Sequence, residues 1–208
     1  MGQDMSHPGV ITRHSQALGW GLKALSMTRE THLLSLLNTH QPTDAKESAF
    51  KEAMLELLEA GPQGFSRDHF VPGHFTASAF VLSPEGDSLL LIFHGKLSRW
   101  LQPGGHIEPS DPDVLLAAQR EVLEETGLSQ VSAVGPGLFD IDIHEIPARK
   151  SDPAHLHYDV RILLQAATRE FKAGSDALDA KWVPLAEVNA VESDDSVMRA
   201  VQKILRSQ

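Results

Sequence analysis

The sequence predicts an α/β domain, a sheet covered by helices on its faces, preceded by a small helical region. Three observations carry that expectation. From His74 onward, apolar or alternating runs separated by turn residues read as strands. A capped helix interrupts the strands, and another helix closes the chain, which is the pattern of a sheet flanked by helices. Roughly the first sixty residues instead show only helical periodicity.

Residues 1–12 read as a loose tail. A helical segment begins near Ser15, weakened by Gly19 and Gly21, and ends with Leu33, Leu34 and Leu37 on one face. After HQPTD, Asp44 and Glu47 match a capping box and start a helix over 45–60. Its stripe is Phe50, Met54, Leu57 and Leu58, and Gly61 and Pro62 stop it. FTASAFVL and SLLLIF then read as a hairpin around PEGD. The loop HGKLSRWLQPGG leads into the central helix. GLFDIDIHEI alternates as a half-buried strand, and HLHYDVRILLQAA is a longer one, with the loop PARKSDPA between them. GSDALDA is a loop and KWVPL a short strand. SDDSVMRAVQKIL closes as a helix with Val197, Val201 and Ile204 or Leu205 inward. The chain divides into a helical extension, 1–65, and a main domain, 66–208. The extension either packs on the main domain, pairs two copies or gates a pocket.

The bulk numbers narrow the chemistry. A formal net charge of −10 argues against general binding to a nucleic-acid backbone, while leaving room for an anionic substrate at a local cation site. With no cysteine, disulfides, thiolate catalysis and cysteine-ligated metals are ruled out. The first twenty residues do not resemble a signal peptide, and no apolar run approaches the roughly 20 residues of a membrane span. A soluble cytoplasmic protein is expected.

The central helix carries the strongest signal. Asp111 is placed to cap it, Pro112 suits its first turn, and Gly127 suits its end, so it should run over 112–126. Leu115, Ala118 and Val122 face the sheet, and Ala117 allows a close approach. Glu121, Glu124 and Glu125 share the other side at i, i+3 and i+4 spacing. Each like-charge pair costs about 0.2–0.5 kcal/mol even when exposed. The acids also sit near the C-terminal end, where the helix dipole disfavours negative charge. Divalent cations such as Mg²⁺ offset both penalties, because hard ions take carboxylate oxygens. Arg120 is placed to pair with Asp111 or Glu108. Upstream, Pro103-Gly104-Gly105 forms a turn lacking Cβ atoms, whose N–H groups can approach a phosphate. Phosphoanhydride hydrolysis needs both parts: charge neutralisation and an activated water.

These residues resemble the Nudix box: a glycine, five residues, Glu, seven residues, then Arg-Glu, an aliphatic residue, any residue, Glu-Glu, any residue, Gly and an aliphatic residue. REVLEETGL at 120–128 matches the second half, and Gly105 matches the first glycine. Asp111 stands where the leading Glu would, and eight residues separate it from Arg120. A capped helix start can absorb that insertion. The resemblance extends over roughly 70–190 and leaves 1–65 uncovered. It implies an α/β/α sandwich with a mixed sheet, and Mg²⁺- or Mn²⁺-dependent hydrolysis of a nucleoside diphosphate linked to another group. Carried over by position, Glu121, Glu124 and Glu125 would hold metal, and Gly105 would shape the loop around it. Catalysis would rest on Glu121 and Glu124, with Arg120 beside them. The general base varies in the family; Glu121 or a later acid, Glu145, Asp152, Asp176 or Asp179, are the candidates. The isomerase relatives that use a cysteine are excluded, and no subfamily mark follows the box.

Around this centre, Arg99, Trp100, Gly104, Gly105, His144 and His157 are candidates for substrate contact, with Lys96 an alternative to Arg99 at a phosphate. His155, His157 and His144 either form a metal cluster or, the stronger reading, line a pocket or the surface. Asp140 and Asp142 alternate on one strand face and read more readily as solvated than as a site. Trp100 is expected as a core anchor rather than a base-stacking platform. Trp182 reads as a hinge before the last helix. The expected partner is a nucleotide-like diphosphate, with a homodimer possible. One rival is a Nudix-fold binding or regulatory module without catalysis. Another is a solvated acidic face on a protein that works through its helical region.

Overall fold

The structure is a computed structural model, and it describes residues 1, 27–95, 97–149, 152–172 and 179–207. The tail and helical start expected over 2–26, and Lys96, Asp176 and most of the GSDALDA loop, lie outside them.

Among the described residues, two helices come first. Helix α1, Arg29–Thr39, is capped by Thr28, and Leu33 and Leu37 are buried. Leu34 turns outward, because its position lies off the Leu33–Leu37 row. Helix α2, Ala45–Glu59, is capped by Asp44, whose Oδ1 accepts from the Glu47 N–H at 2.8 Å. The Glu47 carboxylate does not close the expected box on Asp44. It accepts from the Thr43 N–H and hydroxyl and is itself buried.

The sheet is built around two parallel strands, β1 (Gly73–Leu82) and β7 (His155–Ala166). Along β1, β2 (Ser88–His94) pairs at one end and β4 (Gly104–His106) at the other, both antiparallel. Along β7, β5 (Val131–Ala133) and β6 (Asp140–Ile146) divide the opposite edge in the same way. Strands β3 (Arg99–Leu101) and β8 (Ala180–Pro184) pair with β2. The segment 94–105, expected as a loop, therefore contributes two short strands. Both are three residues long and lack the alternation that marks a strand in sequence. Strand β5 escapes notice for the same reason.

Helices cover both faces. Phe75, Ala77, Ala79, Val160 and Ile162 pack against α3 (Val114–Thr126) and against α1 and α2 in one core. Phe80, Leu82, Leu89, Leu91 and Leu163 pack against α4 (Asp195–Ser207) in another. On α4 it is Ile204, not Leu205, that turns inward with Val197 and Val201. Trp182 is no hinge: it lies in β8, its Nε1–H donating to the Arg169 carbonyl at 2.9 Å. The result is an α/β/α sandwich with a mixed sheet and N-terminal helices. Among the described residues no helix is long and apolar enough to cross a membrane.

Beside its apolar core, the sheet beneath α4 also carries charge. Arg161, fully buried, donates to Asp159 at 2.8 Å and to Asp140 at 3.2 Å. Arg199 donates to Asp140 and Asp142, and Lys203 to Asp140 and Glu47. His40 meets Glu47 at 2.9 Å. Asp140 and Asp142, read above as solvated, are thus buried ligands of basic side chains. Their partners stand some twenty to sixty residues downstream, beyond the reach of local periodicity.

Candidate active site

The N-cap of α3 is Asp113, whose Oδ1 accepts from the Leu116 N–H at 2.9 Å. The expected cap, Asp111, has another task. Two acids flank Pro112, and the one two residues nearer the helix takes the cap. Gly127 ends the helix in the left-handed region at φ 69°, as expected. Val114, Ala117, Ala118 and Val122 are buried against the sheet. That seating turns Glu121 and Glu125 toward β4 and leaves Glu124 open to solvent beside Arg120.

One guanidinium organises the acids. Arg120 donates to both oxygens of Asp111, at 3.1 and 2.9 Å, to Glu121 Oε1 at 2.9 Å and to Glu124 Oε2 at 3.0 Å. It also donates to the His106 carbonyl at 2.8 Å, tying the helix to β4. Asp111, not Glu108, is therefore the partner of Arg120. Glu108 contributes its backbone N–H to Asp111 instead, at 2.8 Å.

The two glycines permit the approach. A Cβ on Gly105 would lie 2.7 Å from Glu121 Oε1, so the carboxylate rests on the bare backbone. A Cβ on Gly104 would lie 2.3 Å from the Ser78 Cβ on the opposite side of the ribbon. The Gly104 N–H, a candidate phosphate donor, is taken by Glu125 Oε2 at 2.9 Å.

Burial raises the pKa of Glu121 and outweighs the hydrogen bond from Arg120, with Glu124 and Asp111 adding to the rise. Burial also acts to raise Asp111, but the hydrogen bonds from Arg120 and the Glu108 N–H win and hold it low. The hydrogen bond to Asp111 leads in raising Arg120, so that side chain is charged at every working pH. Three carboxylates, Asp111, Glu121 and Glu124, thus share one cation, with Glu125 beside them on the Gly104 N–H. Glu124 is 53% exposed, so the surplus charge opens to solvent.

The remaining candidates fall elsewhere. Arg99 and Trp100 lie on β3, paired with His94 and Phe93 of β2 on the edge opposite β8. One face of Trp100 is covered by Lys181 Nζ at 3.8 Å, and Phe93 packs beside it at 5.3 Å. This is the expected anchor. Of the later acids, Glu145 is exposed on β6, Asp152 sits in a bridge with Arg149, and Asp179 Oδ1 accepts from the Ala180 N–H. A groove of about 480 Å³ lined by Pro84, Val131, Gln165 and Ala166 offers no ionisable side chain.

His144 and His157 face each other across β6 and β7, the first exposed and the second half-buried. Burial, then His74, holds His106 down at about 4 and His157 down at about 2. Among the described residues, the three metal-ligand side chains that converge are His74, His106 and His157, not the three glutamates and not the His144–His155–His157 set read from the sequence. His74 and His106 were missed because only the pairing of β4, β1 and β7 brings them to His157.

No curated protein matches the chain. Among solved structures it is similar to a NUDIX-family hydrolase from Clostridium perfringens, at 23% identity and a TM-score of 0.47, over 65% of this chain and 98% of that one. It is also similar to an Ap4A hydrolase from C. elegans, at 16% and 0.45, over 64% and 95%. A dihydroneopterin triphosphate pyrophosphohydrolase from E. coli gives 14% and 0.48, over 64% and 96%. The model of the NUDIX domain matches residues 72–201, which include all eight strands, the acid helix and the first half of α4. With more than half its length matched in this way, the chain belongs to the Nudix family.

Proposed function

We propose that the chain is a divalent-metal-dependent pyrophosphohydrolase acting on a nucleoside diphosphate linked to another group. One observation carries the reading: three carboxylates gather about a single guanidinium along α3, with Glu125 next to them against a bare glycine strand. That surplus of negative charge is matched to a hard cation. The donor set fits Mg²⁺ or Mn²⁺, being all oxygen, and the missing Cβ of Gly105 leaves Glu121 room at the strand. Glu121, Glu124 and Glu125 would hold the metal, which when bound supplies charge neutralisation on phosphoryl oxygens and a more acidic water.

The side chains have separate tasks in this reading. Arg120 positions Glu121 and Glu124 through one nitrogen, Nη1, while its other two hold Asp111. Glu121 Oε1 takes the bond from Arg120, which leaves Oε2 to accept a proton from an attacking water. Glu124, the most open of the acids held by Arg120, meets the substrate side first. We also propose residues 1–65 as an extension to a catalytic unit at 66–208.

The rival, a binding or regulatory module, draws on the same hydrogen bonds, since Arg120 and the Gly104 N–H already satisfy several acid oxygens. A panel of nucleoside diphosphate derivatives, assayed for product with and without Mg²⁺, separates the two. The proposal expects metal-dependent cleavage at a phosphoanhydride. Binding of a panel member without product under any divalent ion would favour the module.

A further inference from the structure

The Gly105–His106 step places a second constellation on the reverse side of β4. Gly105 faces α3, where its absent side chain makes room for Glu121. Strand alternation sends His106 to the opposite face. That face carries Thr76 and, two residues earlier on β1, His74; the register sets His74 beside His157 of β7. The three rings crowd together, with centroids 5.1 Å apart for His74 and His106, 4.8 Å for His74 and His157, and 5.4 Å for His106 and His157. One nitrogen of each lies within 4.8 Å of the others.

The buried ring is set up as a ligand. His74 is 1% exposed. Its Nδ1 lies 3.1 Å from the His69 carbonyl, an acceptor, so Nδ1 carries the hydrogen and Nε2 the lone pair. Nε2 is buried and has no hydrogen-bond partner among the described residues. Leaving such an acceptor unmet costs about 1–3 kcal/mol. A backbone carbonyl on the far nitrogen is also the usual device that orients a metal-binding imidazole.

We propose that His74, His106 and His157 form a binding site for a zinc-class divalent metal, distinct from the carboxylate site on the other face of β4. Three imidazole nitrogens suit Zn²⁺ and its transition-metal neighbours, whereas Mg²⁺ prefers oxygen. Three protein ligands leave one tetrahedral position for water or a phosphate oxygen. An outer ring supports the site. His155 stacks on His74 at 5.0 Å, and His144 approaches His157 at 5.5 Å with its Nδ1 3.4 Å from Asp142. Arg67 opposes a cation here, but it is exposed and its charge is screened by solvent. The Arg120 bond to the His106 carbonyl joins the two sites through one residue.

The test uses the full chain without tag histidines, stripped by chelator and titrated with Zn²⁺ by calorimetry and with Co²⁺ by visible absorption. The expected result is one Zn²⁺ per chain and the intense visible bands of tetrahedral Co²⁺. His106→Gln and His157→Gln, both at half-buried positions, should each weaken Zn²⁺ by more than the roughly 10–100-fold that loss of an outer-shell partner costs. Glu124→Gln should bind Zn²⁺ as the parent does, which separates this site from the carboxylate one. X-ray absorption at the zinc edge of the unaltered protein should count three imidazoles, whatever becomes of the variants. No Zn²⁺ bound by the parent chain, unchanged affinity in folded His106→Gln and His157→Gln, or equal loss in Glu124→Gln would each overturn the assignment.

Discussion

Two regions of this molecule are built from the same parts, carboxylates around guanidinium groups, and they come to opposite ends. Beneath α4, Asp140, Asp142, Asp159 and Glu47 meet Arg161, Arg199 and Lys203, with His40 on Glu47. These carboxylates are nearly all hidden from water, and their charge is close to balanced. Along α3, three carboxylates share one guanidinium, Glu125 lies beside them on a backbone N–H, and Glu124 stands half in solvent. Desolvation explains the difference. An uncompensated charge in the interior costs several kcal/mol, so a buried cluster survives only when paired. At a surface the same imbalance is tolerable and leaves ligand capacity for a cation. Pairing therefore marks the structural cluster, and surplus marks the one proposed to hold metal.

The comparison breaks hardest at Asp140. Asp140→Ala leaves Arg161, Arg199 and Lys203 without their shared partner and should cost about 3–5 kcal/mol, read from urea unfolding. Turnover per folded molecule should survive, since Asp140 touches none of the acids on α3. A loss near zero would mean that water reaches this network.

Acid should find the buried cluster next. Burial alone would raise Glu47, but hydrogen bonds from His40, Lys203 and Thr43 prevail and hold it far below its ordinary 4.5. A carboxyl with a depressed folded pKa contributes stability that is complete above its unfolded value. That contribution drains away as pH falls below about 4.5 toward the folded value. Glu47→Gln should flatten the acid limb of stability against pH, measured by thermal melts. An unchanged limb would remove Glu47 from the account.

The α3 cluster should respond more gently in stability and more sharply in function. Arg120→Ala removes charged hydrogen bonds from a mostly buried side chain, about 1–3 kcal/mol. It should also scatter the acids and depress turnover well beyond what unfolding explains. Gly105→Ala would drive a methyl to within 2.7 Å of Glu121 Oε1. Since that carboxylate can swing aside, the stability loss should stay near about 1 kcal/mol, within the common range for substitutions, while metal affinity falls.

Legibility in the sequence followed the same divide. Helix α3 was readable because capping, the left-handed Gly127 and the acid spacing are local facts. The cap itself was misplaced by two residues, since Asp111 and Asp113 are equivalent in pattern and only Arg120 tells them apart. The choice between Asp111 and Glu108 was likewise settled by geometry. Asp140 and Asp142 looked solvated because their strand alternates; their partners on β7 and α4 are tertiary neighbours. Strands β3, β4 and β5 are too short to carry a period, and β4 supplies the register that gathers His74, His106 and His157.

The central claim is that the surplus carboxylates on α3 hold a divalent ion for catalysis. Mn²⁺ binding by the parent chain and by Glu124→Gln, followed by electron paramagnetic resonance beside nucleotide turnover, tests it most directly. Glu124 is half exposed, so the substitution should change stability by no more than about 0.5 kcal/mol. The account predicts that Glu124→Gln, still folded, loses both Mn²⁺ affinity and cleavage. Full affinity and full turnover in that variant would contradict it.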